Sequence, residues 1–292
     1  MKKTLLVLLL ALFSLNALGE CYDENKDDRT NFIACKKEAE RGNSDAQFNV
    51  GIMYDNGQGT EQDFVQALKW YTKAAEQNNA SAQFNLGLLY AEGHGTDQDY
   101  AQAVKWYTKA AQQNLAEAQL NLGTLYANGQ GAPQDYGQAY NWYVKSAEQG
   151  NAGAQFNLGN MYANGQGTPQ NYFQAIEWYL KAAEQGNSGA QFNLGTMYAN
   201  GQGTPRDYTQ AVIWYLKAAE QGNVDALFNL GNMHFNGEGV PQDYIKAHMF
   251  FNIAGANGDE PAQRSRDIVA EKMTPGQISE AQRLASEWMQ EH

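Results

Sequence analysis

The sequence predicts an all-α protein made of stacked helix pairs, and three observations lead to this prediction. A tyrosine and a tryptophan follow a repeated glycine by 3 and 19 residues in most copies. The glycine itself recurs every 36 residues, at Gly51, Gly87, Gly123, Gly159, Gly195 and Gly231. A fixed period of this length is typical of stacked supersecondary units and not of one globular core.

The first half of each copy has the spacing of an amphipathic helix. Ala82, Leu86 and Leu89 share one face at helical intervals. Gly87 lies beside this stripe, where the missing side chain allows another helix to approach closely. Glycine loops such as residues 128–131 then end the helix, because glycine adopts positive φ without strain.

The second half of each copy begins at a capping column: Asp63, Asp99, Asp135, Asn171, Asp207 and Asp243. A glutamine three residues later in five copies predicts a capping box, and Lys246 breaks the series in the sixth. The apolar stripe that follows includes Ala103, Trp106 and Tyr107. Because helices of three to four turns do not persist alone in water, we expect neighbouring units to stabilise one another.

The repeats divide the chain into four parts. We expect a signal peptide over residues 1–19, an N-terminal capping segment and helix over 20–43, six repeats over 44–258 and a C-terminal capping helix pair over 259–292. The first segment has a basic start, an apolar middle and small residues at Ala17 and Gly19, which is the layout of a secretory signal peptide. An uncleaved anchor is the alternative, but the apolar run is short for a membrane span.

Export would place the mature chain in a compartment that permits disulfides. The two cysteines, Cys21 and Cys35, lie close together and near the expected new N-terminus, so a bridge between them would restrain fraying. A pair of free thiols is the alternative. Lipid attachment at Cys21 is not favoured, because Glu20 precedes it where a lipoprotein signal has a small residue.

The chain carries a formal net charge of −12, and loss of Lys2 and Lys3 with the signal peptide would leave −14. Such a surface repels nucleic-acid phosphates and anionic lipid heads, so we expect neither a nucleic-acid partner nor stable membrane insertion. We expect a monomer, located in the periplasm or secreted.

The repeated pattern, clearest in AQFNLGNMYANGQGTPQNYFQAIEWYLKAAEQGN, resembles the Sel-1-like repeat, a relative of the tetratricopeptide repeat. The resemblance covers residues 44–258. It implies a right-handed α-solenoid superhelix of antiparallel helix pairs that binds a protein or peptide partner, and it implies no reaction.

The resemblance also implies that the second face of the first helices lines a concave groove. An asparagine ladder would follow this groove and bind the backbone of an extended peptide: Asn49, Asn85, Asn121, Asn157, Asn193 and Asn229. The alternative is that each amide binds a neighbouring helix or loop and only sets repeat geometry. A column that varies between copies is a candidate for selectivity: Leu88, Thr124, Asn160, Thr196 and Asn232. The phenylalanine column that contains Phe84 is better explained by packing between repeats.

Signals of catalysis are weak. The four histidines have no metal-ligand or triad spacing, and the glycine loops follow helices, not strands, so they do not resemble dinucleotide loops. We therefore expect no enzymatic activity and no cofactor. The alternatives are a cell-envelope enzyme or β-lactam-binding protein of the Sel-1-like type, or a secreted factor that acts on host cells.

Overall fold

The computed structural model describes residues 21–292, so the predicted signal peptide lies outside the described part. Regular structure over these residues is helical, without strands. The chain forms two units that meet in sequence at Gln149 and Gly150. Within each unit consecutive helices pack against one another, except that the last helix (Pro275–Glu291) packs on the helix Tyr244–Ala256. This confirms the predicted all-α stack of helix pairs.

Unit 1 begins with a capping helix, followed by three repeats of two helices each. Its helices are α1 (Asp28–Glu40), α2 (Ser44–Asn56), α3 (Phe64–Glu76), α4 (Ala80–Glu92), α5 (Tyr100–Gln112), α6 (Ala116–Asn128) and α7 (Tyr136–Glu148).

Unit 2 contains three more repeats and a terminal helix pair. Its helices are α8 (Ala152–Asn164), α9 (Tyr172–Glu184), α10 (Ser188–Asn200), α11 (Tyr208–Ala219), α12 (Val224–Asn236), α13 (Tyr244–Ala256), α14 (Glu260–Ala270) and α15 (Pro275–Glu291). The last helix begins with a full capping box between Thr274 and Gln277.

The repeated glycine of each first helix lies against an aromatic ring of the second helix in the same repeat. A Cβ atom at Gly159 would lie 2.5 Å from Cδ1 of Tyr179, and one at Gly231 would lie 2.5 Å from Cε1 of Phe251. The missing side chain therefore sets the distance between paired helices, as the sequence predicts.

The phenylalanine column contacts both its own repeat and the next one. The ring centroids of Phe156 and Tyr179, in the same repeat, are 6.1 Å apart. A Cβ atom at Gly189, which belongs to the following repeat, would lie 3.1 Å from Cε2 of Phe156. Packing between repeats is thus only part of the role of this column.

The predicted capping box forms only in half at the second helices. Oδ1 of Asp63 accepts from the backbone N–H of Gln66 at 3.0 Å. The N–H of Asp63, which the glutamine side chain would have bound, donates instead to the carbonyl of Tyr54 at 2.8 Å. The same bond recurs in every repeat, because the glycine loop folds the chain back onto the end of the first helix.

Cys21 and Cys35 form a disulfide, with their Cα atoms 4.7 Å apart. The bridge connects the segment before α1 to the buried face of that helix, where Cys35 has no exposed surface. Phe32 and Val50 belong to the same apolar cluster. The N-terminal segment is therefore tied to the core formed by α1 and α2.

Candidate protein-interaction surface

The face of the first helices that carries the predicted ladder is called the asparagine face here, and it is held by buried tyrosines of the second helices. In unit 2 the hydroxyl of Tyr179 donates to Oδ1 of Asn160 at 2.7 Å, and Nδ2 of Asn193 donates to the same oxygen at 3.1 Å. The side chain of Asn193 also bonds to the Tyr179 hydroxyl. One tyrosine thus connects the first helices of two successive repeats.

The same arrangement recurs at other repeats. The hydroxyl of Tyr71 bonds to Asn85, and that of Tyr107 bonds to Asn121. In unit 2, Tyr215 bonds to Asn229 and lies 3.1 Å from Oγ1 of Thr196. Asn157 is half-buried on α8. Four members of the predicted ladder, Asn85, Asn121, Asn193 and Asn229, thus bond to tyrosine hydroxyls of second helices.

Burial raises the pKa of these tyrosines, so the hydroxyls stay protonated over the physiological range. For Tyr179 burial raises the pKa to about 12, although the bond from Asn193 opposes the shift. A neutral hydroxyl can donate to one side chain and accept from another, which is what the pairing of Asn160 with Asn193 requires.

The amides of the ladder have acceptor capacity that the fold does not use. Over residues 21–292 no donor reaches the Oδ1 oxygens of four half-buried members, Asn85, Asn121, Asn193 and Asn229. Their N–H groups bind the tyrosines, and bonding of this kind favours the ionised form of the phenol. Each unit thus presents its own amide oxygens, those of Asn85 and Asn121 in unit 1 and those of Asn193 and Asn229 in unit 2.

Asn49, the first member of the predicted ladder, differs from the others. It is fully buried, and its Nδ2 lies 3.7 Å from the sulfur of Cys21. Its Oδ1 has no partner among the described residues. Because the disulfide-bonded segment covers this position, Asn49 is not available on the surface.

The variable column divides into two kinds of residue. Thr124, Asn160 and Thr196 each bond to the tyrosine of their own repeat. Leu88 has no polar group. Asn232 has an amide but no tyrosine, because Phe251 stands at that position of the sixth repeat.

The first repeat of unit 1 has a half-buried carboxylate beside its tyrosine. Oδ2 of Asp55 accepts from the hydroxyl of Tyr71 at 3.1 Å. Burial raises the pKa of Asp55, and the nearby Glu92 adds to the shift. His94 lies 3.2 Å from Glu92 and stacks on Phe64. The hydroxyl of Tyr71 therefore bonds to a carboxylate, whereas the equivalent tyrosines of later repeats bond to neutral side chains such as Asn160 and Thr196.

Unit 2 has an open pocket of about 380 Å³ on the asparagine face. Three predicted site residues line it, namely Thr196, Asn229 and Asn232, together with Tyr215 and Glu238. The structure therefore brings together members of both predicted columns at the junction of the fifth and sixth repeats.

A second amide series, made of buried glutamines, was not recognised in the sequence. Nε2 of Gln83 donates to the carbonyl of Ala75 in the preceding repeat at 3.1 Å, and its Oε1 accepts from Gln113 at 2.8 Å. Gln191 makes the equivalent bonds to Ala183 and Gln221 in unit 2. The sequence signal for this series was a glutamine that recurs every 36 residues on the apolar face of the first helix.

A lysine lies over each repeated tryptophan, which was also not recognised. In unit 2 the ammonium of Lys181 is 3.9 Å from the ring centroid of Trp178, and that of Lys217 is 4.2 Å from Trp214. Comparable pairs in unit 1 have distances of 4.1 to 4.4 Å. The i, i+3 spacing of Trp and Lys was a readable signal for this pairing.

No group of three or more His, Cys, Asp or Glu side chains over residues 21–292 could hold a metal ion. His234 is buried and stacks on Phe250 with ring centroids 5.6 Å apart, so it packs in the tyrosine column. Within the described residues, no helix is both long enough and apolar enough to span a bilayer.

Comparison with solved structures gives two informative relatives. The chain is 35% identical to a Sel1 repeat protein from Oxalobacter formigenes, with a TM-score of 0.70, covering 78% of this chain and 91% of that one. It is 28% identical to a protective antigen, present in uropathogenic Escherichia coli strains, that displays an SLR fold. There the TM-score is 0.51, with 97% of this chain and 83% of that one covered. Among proteins of curated function, none matches the chain.

The model of the Sel1 repeat matches six consecutive segments of the sequence: residues 44–79, 80–115, 116–151, 152–187, 188–223 and 224–259. These segments have the boundaries of the six helix pairs and cover most of the chain. The protein is therefore a member of the Sel1 repeat family.

Proposed function

We propose that this protein is an exported, non-enzymatic scaffold that binds an extended segment of a protein partner on its asparagine face. Sel1 repeat proteins generally act in protein–protein interactions. The unused Oδ1 oxygens carry the proposal within each unit: those of Asn85 and Asn121 in unit 1, and those of Asn193 and Asn229 in unit 2. An extended peptide presents backbone N–H groups, and amide oxygens accept from these with little dependence on sequence.

The export part of the proposal depends on the basic, apolar and small-residue pattern of residues 1–19. The disulfide between Cys21 and Cys35 supports it, since such bonds persist in oxidising compartments. Mass spectrometry of protein recovered from the producing cells should give a chain that begins at Glu20. A chain that retains Met1 would contradict export by cleavage.

Binding on the asparagine face can be separated from folding by two matched pairs of substitutions. Asn121→Ala with Asn193→Ala removes the amide oxygens and also the bonds to Tyr107 and Tyr179. Tyr107→Phe with Tyr179→Phe breaks the same internal bonds but leaves both amides in place. We expect affinity capture of the partner to fail with the alanine pair and to persist with the phenylalanine pair.

Thermal unfolding of both variants provides the control for folding. If both pairs lose the partner and unfold at equally lowered temperatures, the asparagines only hold the repeats together. If both retain the partner, binding takes place on another surface.

A further inference from the structure

We propose that the pocket at the junction of the fifth and sixth repeats binds an arginine side chain of the partner peptide. This inference depends on the proposed scaffold function and names the chemistry of one contact. The pocket is lined by Asn229, Asn232, Thr196, Tyr208, Tyr215 and Glu238, among others. It combines a carboxylate, amides and aromatic rings in one concave site, which is typical of ligand recognition.

Glu238 is the acidic group that distinguishes this pocket. The equivalent loop position is histidine at His94 and glutamine in the other four repeats, at Gln58, Gln130, Gln166 and Gln202. Glu238 is half-buried and makes no ion pair within 4 Å over residues 21–292. A partly buried carboxylate without a cation attracts one more strongly than a fully solvated group does.

The backbone of the loop places Glu238 at the pocket. Its backbone N–H donates to the carbonyl of Met233 at 3.0 Å. Gly239 has a φ of 72°, and its Cα packs so closely on the backbone carbonyl of Tyr208 that a Cβ atom would collide with it. Because Gln202 makes the same backbone bond at 3.0 Å, the loop geometry does not depend on the acidic side chain.

Asn232 supplies the second unpartnered group. The equivalent Asn160 has its Oδ1 occupied by the hydroxyl of Tyr179 and by Asn193. Phe251 has no hydroxyl, so the amide of Asn232 makes no hydrogen bond to any described residue. The pocket is therefore lined by a free amide and by a free carboxylate.

A guanidinium group fits these features better than an ammonium group. Its five N–H donors can bind the Glu238 carboxylate and an amide oxygen at once, and its plane can stack on a tyrosine ring. One guanidinium of the chain already lies near a ring that lines the pocket, since Cζ of Arg206 is 5.2 Å from the ring centroid of Tyr208. Arg206 is exposed and does not line the pocket. The net charge of −12 also favours a cationic partner.

The test uses the full mature chain, labelled with ¹⁵N, and two pentapeptides. One is acetyl-Ala-Ala-Arg-Ala-Ala-amide, and the other has citrulline, the neutral isostere, in place of arginine. We expect saturable shifts at the Asn232 side-chain amide and at the backbone of Gly239 with the arginine peptide. The citrulline peptide should bind roughly five- to tenfold more weakly, and salt should reduce the difference.

Three variants isolate the carboxylate. Glu238→Gln gives the loop sequence of four sister repeats and should remove the preference for arginine while preserving the fold. Glu184→Gln makes the same charge change on an exposed position of α9 and should keep the preference. Gln202→Glu should add a second arginine-dependent set of shifts around Gly203.

The inference is overturned if wild-type protein binds both peptides equally, if Glu238→Gln keeps the preference, or if the arginine peptide gives no saturable shift. The proposed function has a separate test. If the arginine peptide shows no preference but changing Asn121 and Asn193 to alanine still abolishes capture of the partner, the protein is a scaffold without an arginine pocket.

Discussion

The hydroxyl of Tyr179 donates to Oδ1 of Asn160 over 2.7 Å and also bonds to the side chain of Asn193. Asn160 and Asn193 belong to successive repeats. One buried hydroxyl on a second helix therefore joins two first helices.

Removing that hydroxyl should weaken unit 2 without creating a cavity. We expect Tyr179→Phe to lower the free energy of unfolding by about 1 to 2 kcal/mol, because two hydrogen bonds are lost and two amides lose a partner. The sixth repeat shows that phenylalanine fits this position, since Phe251 occupies it. Urea unfolding followed by circular dichroism measures the change.

Tyr198→Phe is the matched control. The Tyr198 hydroxyl makes no hydrogen bond among the described residues, so its loss should change stability by less than about 0.5 kcal/mol. Equal effects of the two substitutions would show that the Tyr179 bonds contribute nothing to stability.

The contact between Gly159 and Tyr179 gives a second prediction. A Cβ atom at Gly159 would lie 2.5 Å from Cδ1 and 2.6 Å from Cε1 of the ring. We expect Gly159→Ala to lower the free energy of unfolding by about 1 to 3 kcal/mol, the usual cost of overpacking, despite the better helix propensity of alanine.

Gly276→Ala tests the effect of the better helix propensity of alanine at a position where the added Cβ atom meets no neighbouring atom. Nothing lies within 4 Å of a Cβ atom at Gly276 in α15. This change should leave stability unaltered or raise it by up to about 1 kcal/mol. Chemical denaturation measures the free energy of unfolding of both variants. If Gly159→Ala does not lower it, the two helices can move apart without loss of stability.

The sequence predicted the features that depend on local pattern and period. The capping column at Asp63, the positive φ of Gly57 and the close approach at Gly87 each follow from the conformational limits of single residues. Because the same 36-residue pattern recurs six times, the helices assigned to one copy can be assigned to all six. The fold was therefore predictable throughout residues 44–258.

The partners of the polar side chains were not predictable in this way. Tyr179 is 19 residues after Asn160 and 14 before Asn193, so their meeting depends on how helices of successive repeats cross. The half-formed capping box has a similar cause, since the carbonyl of Tyr54 reaches Asp63 only after the loop has folded back. The bonds of the Gln83 series also join residues of different repeats, Ala75 in the preceding repeat and Gln113 at the end of the next helix, so they depend on how the helices pack.

The disulfide should stabilise the first repeat more than the rest of unit 1. The bridge joins residues 14 apart, and a loop of this size corresponds to about 3 kcal/mol in the chain-entropy model. We expect Cys21→Ala with Cys35→Ala to speed amide hydrogen exchange in α1 and α2 and to expose Asn49. Exchange in α6 should change little, because repeats contact mainly their neighbours.

A reducing agent should have the same effect on the wild-type chain and none on the double variant. If exchange in α1 and α2 does not change after reduction, the helix contacts alone hold the segment, and the bridge adds no stability there.

The two buried histidines of the sixth repeat should make unit 2 sensitive to acid. Burial lowers the pKa of His234 and of His248 below the ordinary 6.5, and the nearby Lys246 and Arg266 act in the same direction. Asp243 and Asp267 oppose these shifts. Nδ1 of each ring is buried without a hydrogen-bond partner among the described residues, so a proton there would have no acceptor.

The sign of the effect follows from proton linkage. An unfolded chain binds protons at both imidazoles below about pH 6.5, whereas the folded chain does not until its lower pKa values are reached. The contribution of the histidines to stability is therefore complete above that pH and is lost as the pH falls. We expect the unfolding temperature of the wild-type chain to fall between pH 7 and pH 5.

The repeats supply matched variants for this test. His234→Tyr restores the residue found at Tyr54, Tyr90, Tyr126, Tyr162 and Tyr198, and His248→Val restores the valine of Val104 and Val212. The double variant should lose part of the decrease in unfolding temperature, because its unit 2 no longer contains a buried imidazole. If its decrease equals that of the wild-type chain, the buried imidazoles do not control the acid sensitivity of unit 2.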